Sequence, residues 1–355
     1  MKKHNFSPGP CILPQQVFEK ASKAVLDYNG IGLSVMEISH RSKEFIQIME
    51  HAQNLALEHL GLQNKGYKAL FLQGGASMQF LMASYNLLEK KAAYLNTGTW
   101  SSKAVKEAKL FGEVIEVASS KDANFNYIPK DYTIPPDVDY FHCTSNNTIF
   151  GTQLKSLPQT NVPVVCDMSS DIFSRKLDFS KFSLIYAGAQ KNMGPSGTTL
   201  VVIKEDILGK VSRSIPSMLD YKVHLDKDSM FNTPPVFAVY VSMLTLEWLK
   251  EKGGISAMEK INDAKAGLLY SEIDRNSLFK GFVAQKEDRS PMNATFNLTD
   301  ESVKEKFDTM WKEAGINGLN GHRSVGGYRA SMYNALPLES VQVLVDVMQE
   351  AERTA

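Results

Sequence analysis

The run Tyr186-Ala-Gly-Ala-Gln-Lys-Asn-Met-Gly-Pro-Ser-Gly-Thr-Thr199 joins two short apolar stretches, 184–186 and 199–203, and holds one lysine, Lys191, among small residues. That is a strand, a loop and a strand, with little side-chain bulk around the lysine to keep a flat molecule away. Read outward, the same alternation continues. Further strand candidates fall at 69–72, 92–95, 114–117, 140–143 and 162–166. Helical spacing of apolar residues appears at 43–60, 77–88 and 101–109, each beside a strand or turn as a crossover requires. Seven strands of this kind predict one large, mainly parallel sheet in an α/β domain. Pro234 and Pro235 open a long apolar helix, 237–250, that stops at Gly253-Gly254. Beyond it the pattern reads helix (257–274), strand (293–298), helix (301–314), strand (327–333) and helix (339–350), a smaller α+β layer. The expected division is therefore a large domain over 15–250 and a small one over 251–355, joined by the N-terminal segment 1–14.

The bulk properties agree with a folded two-domain chain. At 355 residues it exceeds the size at which one core usually stops growing. Lysine plus arginine equals aspartate plus glutamate at 39 each, so no global field draws it to nucleic acid or to an anionic membrane. Any anion site must be built locally. The first ten residues carry prolines where a signal peptide needs an apolar stretch, and no run approaches the roughly 18 apolar residues of a spanning helix, so a cytoplasmic protein is expected. Cys11, Cys143 and Cys166 are widely spaced and lack a ligand pattern, which argues against disulfides and a metal site.

Chemistry concentrates at the ends of the expected strands. A lysine in the Lys191 loop can form a Schiff base with an aldehyde, and burial beside a cationic ring would lower its pKa. The plainer alternative is a surface lysine in a turn. Against that stands Asp167, which closes the 162–166 strand and would project into the same crevice at the carboxyl ends of the sheet. A carboxylate there can keep a pyridine nitrogen protonated; capping a turn is its ordinary alternative. Gln73-Gly74-Gly75-Ala76-Ser77 places glycines before a helix N-terminus, a general phosphate cradle, although Gly-Gly is often only a tight turn. Trp100 follows another strand and could stack on a flat ring, while Thr148 offers a hydroxyl at the end of a third. Neither a Walker loop nor a full Gly-x-Gly-x-x-Gly occurs, which disfavours nucleotide binding of those kinds.

Four segments, Ser34-Val-Met-Glu-Ile-Ser-His-Arg-Ser-Lys-Glu-Phe45, Tyr186-Ala-Gly-Ala-Gln-Lys-Asn192, Met230-Phe-Asn-Thr-Pro-Pro235 and Gly321-His-Arg-Ser-Val-Gly-Gly-Tyr-Arg-Ala-Ser331, resemble the signature segments of the phosphoserine aminotransferase family. They keep their order over the whole chain. The resemblance implies the fold type I architecture of pyridoxal 5'-phosphate enzymes, the class V branch, and a homodimer with shared active sites. On this chain Lys191 resembles the Schiff-base lysine, Asp167 the pyridinium partner, Trp100 the stacking residue and Thr148 a ring contact. Ala76, Ser77 and Gln190, with Asn232 and Thr233 of the neighbouring subunit, resemble the cofactor-phosphate contacts. Arg329 is assigned the substrate α-carboxylate, and His40, Arg41, His322 and Arg323 the distal anion. Arginine's planar fork suits both groups.

The implied reaction is a ping-pong transamination. Glutamate gives its nitrogen to the cofactor, with the Lys191 amine as acid and base, and 3-phosphohydroxypyruvate then takes it up to become phosphoserine. Whether 3-hydroxy-2-oxo-4-phosphooxybutanoate, of vitamin B6 biosynthesis, is a second acceptor stays open. One departure stands out: some bacterial members carry arginine where this chain has Ser77. A cysteine desulfurase is the nearer competitor, but no cysteine lies in a Gly-rich loop of the second domain. A non-catalytic binding protein of the same fold would not need Lys191, Asp167 and both His-Arg pairs.

Overall fold

The computed structural model describes residues 3–157 and 159–355. A short strand β1 (His4–Asn5) and the helices α1 (Gln15–Leu26) and α2 (Lys43–Leu60) come first. Strands and helices then alternate through β2 (Tyr67–Leu72), α3 (Gly75–Leu87), β3 (Lys91–Asn96), α4 (Thr99–Ala108), β4 (Glu113–Ser119) and β5 (Phe141–Thr144). A small hairpin, β6 (Asn146–Asn147) and β7 (Thr152–Gln153), leads to β8 (Val164–Asp167), β9 (Leu184–Gly188) and β10 (Thr199–Lys204). The rest comprises α5 (Tyr221–Asp226), α6 (Val236–Glu251), α7 (Gly254–Arg275), β11 (Phe279–Gly281), β12 (Asn293–Leu298), α8 (Lys304–Glu313), β13 (Ile316–Asn317), β14 (Tyr328–Ser331) and α9 (Leu338–Arg353).

Seven strands form the central sheet in the order β2-β10-β9-β8-β5-β3-β4. Neighbours from β9 to β4 pair in parallel, whereas β10 runs antiparallel to both β2 and β9. The reversal has a simple cause. Between Gly188 and Thr199 the chain forms no helix, and a parallel return needs a crossover of about a dozen residues or more.

Along each strand alternate residues enter opposite layers. Ala69 and Phe71 of β2 pack with α2 and α6, while Leu70 and Leu72 pack with residues of α3 and α4 such as Phe80, Met82 and Ala104. The result is a three-layer sandwich. Helix α2 runs over the residues its apolar spacing predicts, because both ends are specified: Ser42 Oγ accepts from Phe45 N at 3.4 Å, and Gly61 closes it at φ +63°.

Several boundaries differ from the sequence reading, three of them beside the site or the domain junction. Helix α3 opens at Gly75 rather than 77, helix α4 already contains Trp100, and α7 starts at Gly254 rather than 257. Gly253, at φ +91°, is the N-cap of α7, so the Gly-Gly pair that stops α6 also starts the next helix. Helix α1 was not expected, although Val17, Ala21 and Ala24 recur at helical spacing on its buried face.

A separate core forms where β11, β12 and β14 make an antiparallel sheet against α7, α8 and α9, with Leu269, Phe296, Trp311 and Met348 at its centre. Phe6 and Ile12 belong to that core, and β1 pairs in parallel with β13.

Candidate active site

Because β10 runs backwards, its first residue lies on the edge of the sheet where β2, β3, β5, β8 and β9 end. In open α/β sheets ligands bind at that edge. Here the loops leaving those strands enclose one cavity of about 410 Å³, whose wall includes Ala76, Ser77, Trp100, Thr148, Asp167, Gln190 and Lys191. Residues distant in sequence meet because each directly follows a strand.

Lys191 has its Nζ donating to Thr148 Oγ1 at 2.8 Å and lying 6.0 Å from the centroid of the Trp100 ring. Burial pulls its pKa down to about 8; Asp167 opposes that shift and Arg329 adds to it. Asp167 is 4% exposed and ends β8, where its Oδ1 accepts from Ser169 N at 2.9 Å. Burial raises its carboxyl above the usual range, against the lowering effects of Ser169 and Lys191. A buried carboxylate facing a buried amine suits a ligand that carries its own positive nitrogen.

The N-terminus of α3 has no side-chain cap: Gly74, its N-cap at φ +93°, can supply none. Free N–H groups and the positive end of a thirteen-residue helix therefore open beside Ala76 and Ser77 in the cavity wall. A side chain at Gly74 would also collide with Met78, whose Cβ lies 2.5 Å from where a Cβ would stand. Trp100, in the first turn of α4, packs against the cluster of Phe125, Ile149 and Phe150, and its Nε1 is buried without a partner.

Arg329, 6% exposed on β14, brings the second core to this edge. One guanidinium nitrogen, Nη1, donates to Thr148 O at 3.4 Å, and Nε is buried and unpartnered. His322 and Arg323 sit in the loop before β14. The His322 imidazole is lowered by burial and then by the charges of Arg329, Arg323 and Lys103. His40 and Arg41 lie in the turn before α2 and do not reach the cavity wall of their own chain. Nor do Asn232 and Thr233. Asn232 lines a neighbouring hollow of about 250 Å³ on the far side of Gly74, and Thr233 O accepts from Gln73 Nε2 at 2.7 Å.

Some wall residues escaped the sequence reading. Asn146, Ser169, Ser170 and the β10 approach Ser196-Gly197-Thr198 line the cavity. Behind Lys191 stands Cys11, whose N–H donates to Gln190 O at 3.1 Å and whose thiol donates to Lys191 O. Burial pushes that thiol up to about 12, so it stays protonated. The signal for the wall residues was their position just after strands; for Cys11 no local signal existed. Among the described residues no group of three or more His, Cys, Asp or Glu is placed to hold a metal.

Comparison with known proteins adds an independent line. Residues 3–344 match the family model for aminotransferase class-V. The phosphoserine aminotransferase of Flavobacterium psychrophilum is 70% identical over 354 residues, covering 99% of both chains. Among solved structures, phosphoserine aminotransferase from Bacillus circulans subsp. alkalophilus superposes with a TM-score of 0.96 at 43% identity, covering 99% of each chain. The cofactor-bound phosphoserine aminotransferase of Trichomonas vaginalis gives 0.93 at 35% identity, over 98% of this chain and all of that one.

Proposed function

The chain belongs to the class-V aminotransferase family, and from that premise we propose roles for the residues gathered at the sheet edge. It is an aminotransferase that uses pyridoxal phosphate, of the fold type I architecture. Its reaction is transfer of the amino group of L-glutamate to 3-phosphohydroxypyruvate, giving 2-oxoglutarate and O-phospho-L-serine in serine biosynthesis.

The cavity fits the cofactor on its own features: an uncapped helix end for a phosphate, a buried carboxylate for a ring nitrogen, an indole face and an amine of lowered pKa. Bound there, the cofactor carries the amino group between the two substrates and draws electron density from the substrate α-carbon. Lys191 would hold it covalently and then, freed, move the proton at the α-carbon. Thr148 keeps the amine in place by accepting its hydrogen bond. Ala76, Ser77 and Gln190 would hold the phosphate, Asp167 the ring nitrogen and Trp100 the ring face. Arg329, desolvated and with donors to spare, would take the substrate α-carboxylate. His322 and Arg323 would face the distal anion.

His40, Arg41, Asn232 and Thr233 are read as completing the cavity of a second copy. Exposed apolar residues support that reading: Ile31, Leu33 and Met36 flank His40 and Arg41, and Phe231 adjoins Asn232. The proposed assembly is a homodimer, and each chain divides near residue 250 into a large and a small domain with separate cores. No helix among the described residues is long and apolar enough to cross a membrane; a cytoplasmic location is proposed.

The observation that carries the site assignment is the Lys191 amine in the cavity wall, bonded to Thr148 Oγ1 at 2.8 Å and 6.0 Å from the centroid of the Trp100 ring. Burial lowers its pKa to about 8, so that part of it is neutral near pH 7. The test is an assay of the purified protein with pyridoxal phosphate, glutamate and 3-phosphohydroxypyruvate, beside Lys191→Ala. Turnover should vanish in the variant, together with the absorbance of cofactor joined to lysine, while the fold persists. A variant with wild-type rates would refute the assignment. Running 3-hydroxy-2-oxo-4-phosphooxybutanoate in the same assay decides whether it is a second acceptor.

A further inference from the structure

We propose that Lys103 is a specificity-determining residue of this site, supplying positive charge to the distal phosphate of the substrate where Ser77 provides none. The inference rests on the reading of the cavity as one for a phosphorylated 2-oxo acid. Its starting point is a position. Lys103 lies on α4 one turn beyond Trp100, and its Nζ is 4.5 Å from the centroid of the Trp100 ring, the ring that Lys191 approaches from the cavity. Val325, three residues after His322, and Trp100 pack against the same cluster, Phe125, Ile149 and Phe150. Lys103 therefore stands where the cavity wall meets the loop of His322 and Arg323, close enough for its charge to act on the His322 imidazole.

The second observation is what Lys103 does not do. Glu107 follows it by four residues on the same helix, a spacing at which lysine and glutamate reach one another. Yet among the described residues Lys103 forms no ion pair and turns to the indole instead. Arg323 and Arg329 likewise have no carboxylate partner among the described residues. All three charges act on the one imidazole of His322, and cations gathered so near one another repel, a cost that an anionic ligand would relieve. Arg329 accounts for one carboxylate. A phosphate with a charge of about −1.5 to −2 can engage several cations; Arg323 and, from the second copy, Arg41 are read as two, while Ser77, which lines the cavity, brings a hydroxyl without charge.

The competing explanation is that Lys103 only covers Trp100, so that its effect would pass through the stacking ring. The two are separable with Lys103→Met, which keeps the unbranched stem over the indole and removes the charge, and Lys103→Arg, which keeps both. In the cofactor-loaded enzyme, KM for O-phospho-L-serine should rise about tenfold in Lys103→Met, with kcat within about twofold, while KM for L-glutamate rises less than about threefold. Binding of inorganic phosphate, followed by calorimetry, should weaken by a similar factor, and Lys103→Arg should restore both. Equal changes for the two substrates, a displaced cofactor absorbance maximum in Lys103→Met, or no change at all would each overturn the proposal. A wild-type enzyme that does not turn over phosphoserine would instead overturn the functional reading. Wild-type turnover that Lys103→Met leaves untouched removes this inference alone.

Discussion

Lys191 in the cofactor-free protein should react far faster near neutral pH than an ordinary lysine, with Lys155, which burial also lowers to about 8, as an internal comparison. With a pKa of about 8, about a tenth of its amine is neutral at pH 7, against roughly 0.04% for an ordinary lysine. That is an advantage of about 200-fold in the reactive form. A weaker base is also a weaker nucleophile, and a Brønsted slope of about 0.4–0.5, as found for thiolates, reduces the net gain to about 20-fold. The measurement is pulse labelling with a small acylating reagent across pH 6–10, with each lysine read by peptide mass spectrometry. The Lys191 rate should climb with pH and level off above a half-point near 8, because only the neutral amine reacts. Arg329 disfavours the ammonium and Asp167 favours it. Arg329→Met should therefore move the half-point up, and Asp167→Asn should move it down. A wild-type half-point at 10 or above, or one indifferent to both substitutions, would refute the electrostatic account.

Asp167→Asn should leave the cofactor bound but lower kcat by about 10²–10³-fold, since a preorganised charge is lost; an unchanged kcat would put Asp167 outside the chemistry. Arg329→Ala should cost about 2–5 kcal/mol in kcat/KM, roughly 30- to 4000-fold, for glutamate and the phosphorylated substrate alike, and a loss confined to one of them would reassign the residue. Thr233→Glu should repel the cofactor phosphate of the neighbouring subunit, and Lys191→Ala disables its own. Mixing the two inactive homodimers under subunit exchange should restore about half the wild-type activity per heterodimer. Exchange proven by mass tagging without recovered activity would sink the shared-site reading.

Much of the large unit was legible because its signals are local. Helix α2 is bounded by Ser42 and Gly61, and β8 and β9 are short apolar runs that end in Asp167 and Gly188. The cluster around Lys191 followed from one rule, that strand ends share an edge. Helix α1 could have been read, since Val17, Phe18, Ala21, Ala24 and Val25 recur at helical spacing, but the first helix expected from the sequence lies at 43–60. The reversed direction of β10 was readable in principle, since the stretch after Gly188 is too short for a crossover helix, but strand periodicity is the same in either direction. Cys11 at the back of the site depends on a contact 180 residues long, which no periodicity encodes. His40, Arg41, Asn232 and Thr233 entered through family resemblance alone; nothing local distinguishes a residue that serves a second copy.

The pairing of β1 with β13 sets the order in which this molecule can be finished during synthesis. Asn317 Nδ2 donates to Asn5 Oδ1 across 312 residues, and Phe6 and Ile12 enter a core built from the last quarter of the chain. A ribosome adding about 5–20 residues per second makes the two ends of that pairing roughly 15–60 s apart. Through that interval His4, Asn5, Phe6 and Ile12 lack the partners they have in the finished molecule, although the strands around Lys191 are already made. Contacts this distant form late and slowly. Cys11, between Phe6 and Ile12, backs the Lys191 loop through partners made earlier. A chain arrested before β13 would therefore hold the central sheet and the lysine but lack Arg329 on β14, so catalytic competence arrives only near the end of translation.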